Sequence, residues 1–106
     1  FPETKILSKG LNINENVLDN LFTGWNHKLK IEWPEWKVNL FLYTKDPLNY
    51  LILYTPFGED YFCVEPVSNV TDAFNMMERN ISGHGTKILK PGEILEGKVC
   101  FIPELY

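Results

Sequence analysis

Tyr61-Phe62-Cys63-Val64-Glu65-Pro66-Val67-Ser68-Asn69-Val70-Thr71-Asp72-Ala73-Phe74-Asn75 is the stretch on which the reading of the chain turns: a strand-like alternation runs into a proline and then into a polar turn. Side chains two apart share a strand face, so Tyr61, Cys63 and Glu65 point one way while Phe62 and Val64 point the other. Glu65 therefore falls at the mouth of the strand, where a rigid scaffold meets solvent. A carboxylate sharing a face with an aromatic ring and a thiol is expected to be partly shielded from water, which makes it a better proton acceptor near neutral pH. Spacing alone leaves a second reading open, an ordinary solvated glutamate at a strand end.

Working back toward the N-terminus, Pro56-Phe57-Gly58-Glu59-Asp60 is a turn, and Tyr50 to Thr55 is a nearly continuous apolar run, as expected of a central strand. Lys45 to Asn49 is another turn. Trp36 to Thr44 alternates, with Val38, Leu40 and Leu42 against Lys37, Asn39, Phe41 and Tyr43, and the second face is apolar enough to be covered as well. Across Pro34-Glu35, His27 to Trp33 alternates more cleanly: Leu29, Ile31 and Trp33 oppose Lys28, Lys30 and Glu32, the pattern of a half-buried antiparallel strand. Val17 to Trp25 reads as a short turn entering a strand, with Asp19 as a turn or capping aspartate. Residues 1–16 read as a polar connector without a long helix.

Toward the C-terminus, Ala73 to Arg79 has room for one helical turn and Asn80 to Gly85 reads as a loop. Thr86 to Leu89 is expected as a short strand, Pro91-Gly92 as a turn, and Ile94 to Ile102 as the closing strand, with Val99 and Phe101 on one face. Six or seven short strands at near-regular spacing predict an all-β sandwich or part of one. No repeat or low-complexity segment marks a second domain.

Composition narrows the function classes. The 106 residues allow one domain with a modest core, and 44% hydrophobic and 14% aromatic content argue for a folded chain. A net charge of -4 with a single arginine, Arg79, speaks against a nucleic-acid partner and against a phosphate clamp. No apolar run reaches membrane-spanning length and no signal-peptide pattern is seen, so no membrane partner and a cytoplasmic location are expected. Cys63 and Cys100 lie in apolar runs and read as reduced, hydrophobe-like thiols. No spacing joins them to His27 or His84 as a metal site. Both histidines read as structural or solvent residues, without an orienting partner. Trp25, Trp33 and Trp36 suit either a sugar face or the core. The sequons at Asn69 and Asn80 read as chance matches, and Met76-Met77 as packing.

Several ordered motifs resemble one family. Phe62-Cys63-Val64-Glu65-Pro66-Val67-Ser68, then Asp72-Ala73-Phe74-Asn75 and Leu89-Lys90-Pro91-Gly92-Glu93, look like the C-terminal end of the aldose 1-epimerases, or galactose mutarotases. Upstream, Leu18-Asp19-Asn20-Leu21-Phe22-Thr23-Gly24-Trp25 and Ile31-Glu32-Trp33-Pro34 are similar to shorter bacterial-type members. The resemblance spans nearly all 106 residues.

It implies a large antiparallel β-sandwich, the mutarotase-like supersandwich, with a free monosaccharide in an open cleft and its α and β anomers interconverted without a cofactor. By motif, Glu65 is the base on the anomeric hydroxyl and Asp19 holds sugar hydroxyls. The family's acid histidines belong to its N-terminal part, and neither His27 nor His84 matches them. Asn69 stands where related sequences often carry histidine. We therefore expect residues 1–106 to be the C-terminal portion of a single such domain, whose remaining N-terminal part is a partner and whose exposed sheet edges could support a homo-oligomer. The rival expectation is a non-catalytic carbohydrate-binding or interaction domain.

Overall fold

A computed structural model describes all 106 residues. Six strands form two three-stranded sheets: β1 (Leu18–Phe22), β2 (Lys28–Trp33), β3 (Val38–Tyr43), β4 (Tyr50–Thr55), β5 (Cys63–Val67) and β6 (Cys100–Leu105). One sheet has the order β1-β4-β5 and the other β2-β3-β6, and every pairing is antiparallel. The all-β, two-sheet expectation holds.

Alternation places the core. Leu18 and Phe22 of β1, Leu51 and Leu53 of β4, and Val64 of β5 share the inner face of the first sheet and meet Leu29 and Leu42 of the second, with Trp25 and Leu7 closing the cluster. Trp25 is buried, and its indole N–H donates to the Lys28 carbonyl at 2.8 Å, which satisfies its one donor inside the core. Trp33 is half-buried against Phe62, whereas Trp36 lies exposed in a 3-10 turn.

A second cluster lies on the outer face of the first sheet. Leu21, Tyr50, Ile52 and Val67 are covered there by Val70 and by Ala73 and Met76 of the short helix α1 (Ala73–Glu78). Gly83 to Gly85 folds back over the same end: Tyr50 Oη donates to the Gly83 carbonyl at 3.3 Å, and the Val70 N–H donates to the His84 carbonyl at 3.0 Å.

Four expectations are corrected. Val17 to Trp25 is not a turn leading into a strand, because Leu18–Phe22 is itself a strand paired in register with β4. Thr86 to Leu89 forms no strand, and the closing strand begins at Cys100 rather than Ile94. The apolar residues of 86–98 come as the short pairs Ile88-Leu89 and Ile94-Leu95, split by the Pro91-Gly92 turn and left exposed, and runs so short and unburied do not hold a ladder. Cys100 is exposed rather than packed away, and Cys63 is half-buried.

Two of the four edge strands, β5 and β6, carry a proline, Pro66 and Pro103. The Tyr106 N–H donates to the Lys37 carbonyl, which fixes the bonding alternation so that Leu40 and Pro103 form a non-bonded pair and the proline nitrogen faces the open edge.

The strand β6 overhangs the core. Phe101 and Leu105 lie on the inner face of their sheet yet stay 59% and 82% exposed. The accessible surface of 7918 Å² exceeds the roughly 6,100 Å² expected of a compact monomer of this mass. The radius of gyration, 15.6 Å, likewise exceeds the approximately 13 Å expected for this length.

Candidate functional site

The register of the first sheet brings the two candidate carboxylates onto one surface. Asp19 lies opposite Tyr54, which lies opposite Cys63; one step along, Leu21 lies opposite Ile52, which lies opposite Glu65. Cross-strand partners and residues two apart share a face, so Asp19, Tyr54, Cys63 and Glu65 all project from the outer side. With two strand spacings across and two residues along, the Asp19 and Glu65 Cα atoms lie about 12 Å apart. They stand on opposite edge strands, with β4 between them.

Half of this face is closed and half is open. Val70, Ala73 and Met76 cover the end built from Leu21, Ile52, Tyr50 and Val67. The other end, carrying Asp19, Tyr54 and Cys63, is bordered by Tyr61, whose ring centroid lies 6.4 Å from that of Tyr54 at an interplanar angle of 56°. Glu65 stands at the boundary between the two halves.

Two expectations for these carboxylates are corrected. Glu65 is exposed rather than shielded, because its neighbour along the face, Cys63, is small and the bulky Tyr61 leans toward Tyr54 instead. Asp19 is not a capping residue: it sits within β1, exposed, and its own N–H donates to Asn20 Oδ1 at 3.3 Å.

Tyr54 is the residue that sequence reasoning missed. Reading Tyr50 to Thr55 as a continuous apolar run hides an alternation in which Tyr50, Ile52 and Tyr54 face outward and Leu51, Leu53 and Thr55 inward. The Tyr54 hydroxyl holds its proton above the ordinary tyrosine range, first because of the charge on a neighbouring ionised Tyr61, then through partial desolvation and the negative charge of Asp19.

The histidines are placed elsewhere. His27 does have an orienting partner, contrary to expectation: its Nε2 lies 2.8 Å from Asn49 Oδ1, and Asn49 Nδ2 donates to Asp46 Oδ1 at 2.8 Å. This chain pins the β3–β4 loop to the start of β2 and contains neither Asp19 nor Glu65. His84 accepts the Thr86 N–H at Nδ1, 3.0 Å away, so its neutral ring carries the proton on Nε2. Asn69 is exposed beyond the end of β5, with its amide donating to the Val70 carbonyl at 3.3 Å.

No three His, Cys, Asp or Glu side chains converge in a way that could hold a metal ion. No helix is long and apolar enough to cross a membrane. No protein-family model, curated protein or solved structure matches this chain.

Proposed function

We propose that the chain is the C-terminal part of an aldose 1-epimerase-like isomerase, with Glu65 as base and Asp19 as a ligand for sugar hydroxyls. The observation that carries the reading is the register: residues 46 positions apart in sequence, picked out by separate motifs, stand on one open sheet face with an aromatic residue between them.

In this reading Glu65 takes the proton from the anomeric hydroxyl, the bond from the anomeric carbon to the ring oxygen breaks, and a carbonyl forms. The ring oxygen leaves as a hydroxyl and therefore needs a proton from an acid on the opposite side. Rotation about the bond to the carbonyl carbon followed by re-addition gives the other anomer. The acid is supplied by the N-terminal remainder of the same protein, and no cofactor enters. The overhanging β6 and the large accessible surface support such a partner, or a second copy of the chain. A cytoplasmic location fits a free monosaccharide substrate and reduced cysteines.

A second reading, a non-catalytic carbohydrate-binding domain, is favoured by the exposure of both carboxylates and by the histidines' engagement in loop-holding contacts. Anomeric equilibration of fresh α-D-galactose and α-D-glucose, followed by polarimetry with the full-length gene product, decides between them. Acceleration above the buffer rate that Glu65→Gln abolishes, with sugar binding kept within a few-fold, supports the isomerase. Sugar binding with equilibration only at the buffer rate in the unmutated protein sinks it.

A further inference from the structure

We infer that Tyr54, with Tyr61 at its rim, is the sugar-orienting platform of this face, taking the C–H side of an aldopyranose between Asp19 and Glu65. The inference rests on the sugar-handling reading of the face and names a substrate-contacting residue that no motif supplies.

Tyr54 belongs to the central strand, directly opposite Asp19 and diagonal to Glu65. Direct partners have Cβ atoms roughly 5 Å apart and diagonal ones lie roughly 7 to 8 Å apart, within reach of an aromatic side chain. A ring bound by both carboxylates must pass over Tyr54. Val70, Ala73 and Met76 close the Ile52 end of the face, so a ligand reaching Glu65 arrives from the Tyr54 end.

Tyr54 and Tyr61 are tilted by 56° and form an angled corner rather than a flat stack. Such a corner presents a ring face to apolar C–H groups and a phenol edge to hydroxyls, the combination of apolar body and polar tip that tyrosine brings to a wet interface. Asp19, exposed and acceptor-only when ionised, is available to accept from sugar hydroxyls beside that ring. Together these groups favour a neutral aldopyranose and disfavour anionic sugars, because both flanking charges are negative and no arginine or lysine lies in the rows that carry them.

The test uses the full-length gene product and four probes: D-glucose, D-galactose and their methyl β-glycosides, whose rings cannot open. Binding is followed by NMR titration. For the sugars that bind, Tyr54→Ala is expected to weaken affinity at least tenfold, Tyr54→Phe less than threefold, and Tyr61→Ala by an intermediate amount. Tyr61 is exposed, so its variant tests the platform even where Tyr54→Ala fails to fold. Glycoside binding that depends on Tyr54 without any mutarotation upholds the platform and removes the isomerase. Mutarotation that depends on Glu65 with kcat/KM unchanged in Tyr54→Ala overturns the platform and keeps the isomerase. Failure of the unmutated protein to bind any of the four overturns both.

Discussion

Tyr50 and Gly85 are in contact so close that a side chain cannot come between them: a Cβ placed on Gly85 would lie 2.7 Å from Tyr50 Cε2 and 2.5 Å from the Ser68 carbonyl oxygen. Gly85 also has a φ of 76°, in the left-handed region. Gly85→Ala is therefore expected to destabilise the protein by about 1 to 3 kcal/mol, through overpacking and backbone strain together. Urea denaturation measures it, and a loss below about 0.5 kcal/mol would show that the 83–85 loop is not held against β5.

Leu51 and Leu105 give a contrast within one residue type. Leu51 is 1% exposed and central to the inner cluster, so Leu51→Ala should cost about 2 to 5 kcal/mol. Leu105, on overhanging β6, should cost less than about 0.5 kcal/mol as alanine in the isolated 106-residue chain. A large effect at Leu105 in that chain would mean that β6 is covered in solution.

Asn39 is buried, and its amide nitrogen donates to Glu104 Oε1 at 3.1 Å while its own Oδ1 has no partner. A half-satisfied buried amide in a strand gains little over an apolar residue. Asn39→Val is expected to be neutral or stabilising by up to about 1 kcal/mol in thermal unfolding, since valine suits the pleat and leaves no orphaned acceptor.

The raised affinity of Tyr54 for its proton, set mainly by Tyr61, has a signed consequence. The folded state binds this proton more tightly than the unfolded state, so the stabilisation is fully present below the ordinary tyrosine pKa of about 10 and is lost as pH rises through the folded value. Lys30 acts in the same direction: its hydrogen bond and ion pair with Glu32 at 3.0 Å hold its proton above the usual 10.5. Absorbance titration at alkaline pH should show one of the five tyrosines ionising late, and Tyr54→Phe should remove that step. A late-ionising step that survives in Tyr54→Phe would disprove the assignment.

What the sequence made legible follows from periodicity. The clean alternation of Leu29, Ile31 and Trp33 against Lys28, Lys30 and Glu32 is reproduced residue for residue in β2, because one face of that strand is wet. The β1 strand was hidden: Leu18-Asp19-Asn20-Leu21-Phe22 places two residues disfavoured in strands at its middle, and only pairing with β4 overrides their preference. Ile88-Leu89 and Ile94-Leu95 misled in the opposite sense, being apolar pairs too short to hold a ladder, split by the Pro91-Gly92 turn and left exposed. At the site, motifs singled out Glu65 and Asp19, but their shared face depends on the register of two separate pairings with β4, which no local pattern encodes.

The prolines of β5 and β6 set rules for how the architecture can grow. A strand arriving beside β6 would meet Pro103 where it needs a donor, so the ladder cannot be extended through that point without a gap, and a proline at the margin of β5 penalises lateral addition there too. Lateral zippering of the kind that seeds fibrils is thereby discouraged at two of the four sheet margins. What remains open beside β6 is the flat side bearing Phe101 and Leu105, and a neighbour can satisfy it only by lying across it, as one layer rests on another.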